Sequence, residues 1–205
     1  MLLFTSAAPA ATAVFVLTLG LSLLGLYRNP AVIRNNLFRP YYLFRRHQYA
    51  TAITSGFVHA DVPHLAFYLI TFYFFAPTLE AYLLGTPAFV GLYLLALLAS
   101  HGCTYALHRR EPGYASLGAS GAISAVLFAF IVYLPTERLV IFPVPVPVPA
   151  FMFAVVYVGY SWWAGRQRLG NINHDAHLCG ALTGLAFVAV YEPAAYRQLA
   201  SLLGG

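Results

Sequence analysis

Six runs of mainly apolar residues, each near the length needed to cross a lipid bilayer, leave this chain little room for anything else. A spanning helix needs roughly 20 such residues. Windows of that size fall at about residues 7–27, 64–84, 87–107, 117–134, 148–164 and 176–192. Charge content agrees, because only 8% of the 205 residues are charged and 60% are hydrophobic, with a mean hydropathy of +0.73. A soluble domain carries about 25% charged residues, so this chain lacks the polar surface to cover itself in water. The expectation is an all-α membrane protein, a bundle of six transmembrane helices forming one structural domain. The fourth and fifth windows are short, as for a thinned bilayer or for ends drawn into protein. The first run has no charged segment before it and is long enough to span, so it reads as a retained helix.

All eleven basic residues are arginine, and they are unevenly placed. Arg28, Arg34, Arg39, Arg45 and Arg46 lie between the first two spans, Arg109 and Arg110 between the third and fourth, and Arg166 and Arg168 between the fifth and sixth. These loops share one side of the membrane, whereas Arg138 and Arg197 fall on the other. The positive-inside rule would put the nine-arginine side in the cytoplasm and both termini outside. The ordinary role of such arginines is to reach lipid headgroups, and nothing in their spacing resembles a nucleic-acid surface. The first linker, about 28–63, alternates Tyr41, Tyr42, Leu43, Phe44 and Phe57 with arginines, as an interfacial segment would. Pro143, Pro145, Pro147 and Pro149 recur at every second position, which predicts a stiff extended loop. Cys103 and Cys179 both fall within spans, where a small buried thiol is the ordinary reading, and they suggest no disulfide framework. A Cys179–His177 nucleophile pair is disfavoured because residues two apart on a helix point to different faces.

Polar groups inside spans are costly and tend to be functional or paired. His59, His64, Ser120, Ser124, His174 and His177 are the positions that matter, with Asp175 beside the last pair. Serine in a membrane helix is usually innocent, its hydroxyl bonded to the carbonyl four residues back. Ser120, however, stands between Gly118 and Gly121 at the mouth of a helix, where free N–H groups and the helix dipole favour a developing oxyanion. Those are the needs of a nucleophile in acyl transfer. His177 has Gly180 and Gly184 on its own helical face, a small-residue groove that lets a neighbouring helix come close. Ala122 and Ala125 on the serine helix are the expected partners, and such packing would bring His177 to Ser120 as general base. A metal site built from His59, His64, His174 and His177 is the competing idea. No HExxH is present, and Asp61 and Asp175 are the only carboxylates near ligand spacing, so no metal or other cofactor is expected.

Four segments together resemble the rhomboid intramembrane serine proteases: FVHADVPHLAFY (57–68), FFAPTLEAYLLG with Glu80, LGASGAISA (117–125) and NINHDAHLCGALTG (171–184). GxSG alone is short and common. The paired histidines before the second span, the HxxGxxxG of the sixth and the order across six spans make the combination specific. The resemblance covers about residues 45–192, a protease core flanked by the first helix and start of the interfacial loop (1–44) and a short tail (193–205). It implies a six-helix rhomboid-like bundle holding a cavity, with Ser120 as nucleophile and His177 as general base of a dyad without an acid. It places His64 and the Ser120 N–H in the oxyanion hole with support from Gly118, gives His59 a structural position, and has Glu80 stabilise the connection after the second helix. The implied substrates are single-pass transmembrane proteins, cut in or near the bilayer. Three positions depart from the family pattern: Tyr68 stands for an asparagine, Ser124 for an aromatic residue, and Ala50–Thr51 for a Trp-Arg pair.

The sequence therefore predicts a serine endopeptidase of the bilayer. The main alternative is a rhomboid-like pseudoprotease that binds membrane proteins without cutting them, motivated by Tyr68. A proton or metal transporter is a third class, but intramembrane acidic relays and repeat symmetry are lacking. The six-span size fits a bacterial inner membrane. The family orientation, with the N-terminus in the cytoplasm, opposes the arginine count.

Overall fold

A computed structural model describes residues 6–141, 144–167 and 173–204. Pro143, Arg168 and the residues 171–172 that open the last motif lie outside the described set. The long helices are α1 (Pro9–Tyr27), α4 (Val62–Thr78), α5 (Thr86–His108), α6 (Ser120–Tyr133), α7 (Ala150–Gln167) and α8 (His174–Tyr191). Short helices α2 (Ala31–Asn36) and α3 (Thr51–Thr54) lie in the first linker, and α9 (Tyr196–Gly204) follows α8. The six windows thus all become helices, but they are not six equal spans. Among the described residues, α1, α4 with its continuation to Leu84, and α5 are long and apolar enough to cross a membrane by length and composition. A fourth qualifies if α8 and α9, bent by 110° at the break between them, count as one.

The exception that matters most is α6. It has only 14 residues, and every residue from Gly121 to Val132 is buried. A helix wrapped by protein on all sides need not match the bilayer thickness, so its shortness follows from its central place. α8 packs on it most extensively, and α5 and α4 cover further faces. α7 is the most loosely held of the long helices, with only Ala150, Ser161 and Ala164 buried and Val155, Val156 and Trp162 facing outward. Phe72, Phe89, Leu92, Leu97 and Val126 fill the core between α4, α5 and α6.

Local sequence explains the element ends. Asp61 caps α4, its carboxylate accepting from the His64 N–H at 2.8 Å, with Pro63 in the first turn, where a missing N–H costs nothing. Pro77 removes a donor late in α4, and the helix widens into a π-helical turn over Leu79–Leu84. Gly85, at φ 75°, then supplies the left-handed residue that reverses the chain into α5. The proline run is not the loop expected. It forms β2 (Val144–Pro149), paired antiparallel with β1 (Arg138–Ile141), Leu139 opposite Val148 and Val140 opposite Pro147. In a two-stranded ribbon every strand is an edge, so alternate prolines sit where no ladder donor is required.

The other correction concerns Cys103 and Cys179. Read as independent thiols, they are instead joined sulfur to sulfur between α5 and α8, with Cα atoms 6.6 Å apart. Helix packing brings together residues that sequence keeps 76 apart.

The direction of each helix follows from what meets at its ends. The start of α1 is held by Glu80 and lies at the α4–α5 connection, whereas Ser22 near its other end reaches His59. The starts of α4, α6 and α8 and the ends of α5 and α7 line one cavity mouth. The helices therefore alternate in direction, and the arginine-rich loops share the face to which the cavity opens.

Candidate active site

Ser120 is the first residue of α6. Gly118, two residues before, holds φ at 96°, a backbone conformation costly for any residue with a side chain. Its N–H donates to the Ser55 carbonyl at 2.9 Å, which fixes the turn. A Cβ at Gly118 would stand 2.8 Å from His64 Cε1, 3.1 Å from His64 Nε2 and 3.2 Å from His59 Nε2. Both histidines therefore crowd the loop just ahead of the serine. Glycine at 118 satisfies two demands at once, the left-handed turn and the approach of two rings.

His177 sits in the first turns of α8. Asn173 caps that helix: its side-chain oxygen accepts from the Ala176 N–H at 3.0 Å, and its Nδ2 donates to Thr104 Oγ1 on α5 at 2.9 Å. The glycine groove below His177 works as the sequence indicated, with one change of partner. A Cβ on Gly184 would overlap the Ala125 carbonyl, but a Cβ on Gly180 would overlap the Gly121 carbonyl rather than meet Ala122. α8 and α6 thus touch backbone to backbone, a contact that any side chain at 180 or 184 would separate. Ser120 and His177 line the same cavity of about 1400 Å³, together with His64, Ser124, Tyr157 and His174. Among the described residues their side chains are not hydrogen-bonded to each other, and such geometry alone does not exclude a nucleophile–base pair.

The supporting residues divide sharply. His59 is fully buried, its backbone N–H donating to Ser22 Oγ at 3.1 Å and its Nδ1 lying 3.3 Å from the same oxygen. Burial first and the neighbouring His64 second push its pKa down to about 3, so the ring stays neutral. The Tyr68 ring packs 4.8 Å from the His59 ring, and its hydroxyl is engaged with the Tyr93 hydroxyl at 2.6 Å. Ser124 donates to the Ser120 carbonyl at 2.9 Å and shares a 2.7 Å hydrogen bond with the Tyr157 hydroxyl of α7. Glu80 reaches further than the connection it was assigned to: it accepts from the Ala10 and Ala11 N–H groups that open α1, as well as from Thr86 Oγ1.

Two groups beside the serine escaped the sequence reading. His101, buried in α5, shares a hydrogen bond with Ser55 Oγ at 3.2 Å, next to the carbonyl that fixes Gly118. Behind Ser120, a cavity of about 20 Å³ is walled by His101, Ser100, Thr104 and Asn173, a volume that fits a single water molecule. The signal was available, since a histidine with serine and threonine on one helical turn inside a span is expensive to bury. Among the described residues no three His, Cys, Asp or Glu side chains converge as metal ligands.

Similarity to known proteins agrees with this architecture. The chain is 28% identical over 192 residues to "Rhomboid protein 1, mitochondrial" of Saccharomyces cerevisiae, covering 89% of this chain and 54% of that one. It is 28% identical over 172 residues to "RHOMBOID-like protein 12, mitochondrial" of Arabidopsis thaliana, with 75% and 49% covered. Against "Presenilin-associated rhomboid-like protein, mitochondrial" of Rattus norvegicus the identity is 30% over 150 residues, with 66% and 36% covered. The chain thus spans about half the length of these relatives, or less. The Rhomboid domain model matches residues 46–193, from the interfacial linker through the last helix of the bundle. With Ser120 and His177 facing one cavity inside an apolar bundle, and that match across most of its length, the chain belongs to the rhomboid family.

Proposed function

We infer that this protein is an intramembrane serine endopeptidase that cleaves the transmembrane segments of single-pass membrane proteins. The observation that carries this reading is the cavity shared by Ser120 and His177, held by the backbone contact of α6 with α8 at Gly121–Gly180 and Ala125–Gly184. His177 takes the Ser120 hydroxyl proton as the oxygen attacks the scissile carbonyl. The carbonyl oxygen gains its negative charge beside the Ser120 N–H, which has no intrahelical partner, and beside the His64 ring. His177 then gives its proton to the leaving amine, and a water activated by the same imidazole hydrolyses the acyl-enzyme. His59, buried and neutral, fixes the place of His64, and Tyr68 fixes His59.

A fluorophosphonate probe is expected to label the wild type and not Ser120→Ala. Cleavage of a transmembrane substrate should fall by a factor on the order of 10³ or more in that variant. Labelling retained by Ser120→Ala would show that the nucleophile lies elsewhere.

One observation favours a second reading, a binding protein that does not cut. With its hydroxyl engaged by Tyr93, Tyr68 leaves the oxyanion hole to the Ser120 N–H and His64, and loss of one such donor typically costs about 10²–10³ in rate. Under that reading the wild type captures transmembrane segments without cleaving them, and Tyr68→Asn gains cleavage. A cleaving wild type that Tyr68→Asn slows would exclude it. The membrane of residence is part of the proposal: the six-span size suggested a bacterial inner membrane, whereas the relatives carry "mitochondrial" in their names. Imaging a tagged chain in its source cell separates the two.

A further inference from the structure

The link between Cys103 and Cys179 joins α5 to α8 at the level of the dyad. Cys179 is two residues beyond His177 and directly precedes Gly180, whose Cα rests on the Gly121 backbone. Cys103 directly precedes Thr104, whose hydroxyl receives the Asn173 side chain that caps α8. The cysteines therefore stand between the two contacts that position the first turns of α8, the cap above and the glycine groove below. Their Cα separation of 6.6 Å lies within the span a disulfide bridges without backbone movement, about 4.4–6.8 Å. Both cysteine side chains are half-buried, and the wall of the main cavity includes His177 and Leu178, the residues just before Cys179.

We propose that Cys103–Cys179 is a reversible thiol–disulfide modification site that clamps α8 to α5 and so fixes the position of His177. The co-reactant is a small external disulfide of the glutathione-disulfide class. One cysteine thiolate attacks it, forming a mixed disulfide and releasing one thiol. The second cysteine thiolate then attacks the protein sulfur of that mixed disulfide and releases the other thiol. Two protein thiols are oxidised, one external disulfide is reduced to two thiols, and the protons of the cysteines pass to the released thiolates. Reduction runs the same steps backwards and leaves the first turns of α8 without a covalent tie, held by the Asn173 cap, the glycine contacts and packing on α5 and α7. A displacement of about 1 Å at a catalytic group can cost up to 10²-fold in rate, so the bridge acts on chemistry without touching substrate. That effect on rate rests on the proposed Ser120–His177 dyad; the bridge itself does not.

The test uses the full chain in lipid vesicles, equilibrated with glutathione disulfide or with dithiothreitol, then alkylated and digested. The oxidised sample should yield the Cys103–Cys179 cross-linked peptide, and the reduced sample two alkylated cysteines. Amide exchange along the first turns of α8 should be slower in the oxidised protein. Cleavage of a transmembrane substrate should fall about tenfold on reduction, and Cys103→Ser should sit at the reduced level in both conditions. Two alkylated cysteines after oxidant treatment would overturn the proposal, as would equal α8 exchange in the two states. Absent cleavage in both states, with a bridge and redox-dependent α8 exchange, would instead sink the protease reading and leave the clamp standing.

Discussion

At 1% exposure the Glu80 carboxylate has no water to satisfy it, so its donors come from the protein. Two are the N–H groups of Ala10 and Ala11, which have no partner inside α1 because they belong to its first turn. The third is Thr86 Oγ1, just past the reversal at Gly85. Negative charge at a helix N-terminus is favourable, and more so when partly buried. One side chain therefore ties the start of α1 to the start of α5 across the turn that follows α4. Glu80→Gln keeps the shape but turns an amide N–H₂ toward donors. Each buried donor left unsatisfied costs about 1–3 kcal/mol. Thermal unfolding in detergent should show Glu80→Gln melting well below the wild type, and an unchanged midpoint would mean that α1 is capped by something else. Tyr68 belongs at this scale too. From sequence it is a tyrosine where the family has asparagine, whereas in the fold its hydroxyl pairs with Tyr93 and its ring supports His59.

At the scale of elements, helix contacts decide what the sequence could and could not show. The apolar windows located every long helix, and the glycine spacing on α8 located its close neighbour, because both signals are local. The central place of α6 was not legible, since an apolar window looks the same whether lipid or protein surrounds it. Pairings between distant residues were equally hidden: Cys103 with Cys179, His101 with Ser55 and Ser124 with Tyr157 are 76, 46 and 33 residues apart. The α6–α8 contact yields a sharp contrast. Gly180→Ala would place a methyl group on the Gly121 carbonyl, so the helices must part and His177 must move. Gly159→Ala on α7 meets nothing within 4 Å, and alanine is the better helix former by about 1 kcal/mol. Gly180→Ala should lose at least about tenfold in cleavage and melt lower, on the scale of 1–3 kcal/mol for overpacking. Gly159→Ala should keep wild-type activity and at least wild-type stability. Equal behaviour of the two variants would mean that the glycine contact does not position His177 against Ser120.

At the scale of the whole molecule, the cavity and the arginine-rich loops share a face, so orientation decides which compartment Ser120 and His177 meet. The first linker is built for an interface: the Arg45 and Arg46 guanidinium groups lie over the Tyr41 and Tyr42 rings at 4.2 and 4.3 Å, and Phe44 is exposed beside them. Backbone hydrogen bonds of Phe38 with Ser116 tie that linker to the loop that leads to Ser120. Rings and fixed loops of this kind anchor a bundle in the headgroup region, which lets them oppose a simple count of arginines. The orientation expected from the family resemblance puts the cavity away from the cytoplasm, with the start of α1 and the end of α8, both at the α4–α5 connection, on the inner side. Compartment-specific reporters fused at each end should agree with one another and report the inner compartment. Agreement on the outer compartment would hand the orientation to the arginines. The cysteine pair gives an independent reading of the same question, since disulfides persist on the oxidising side of a membrane and are reduced in the cytosol. Rapid alkylation of intact cells should recover Cys103 and Cys179 bridged when the reporters place the cavity outside.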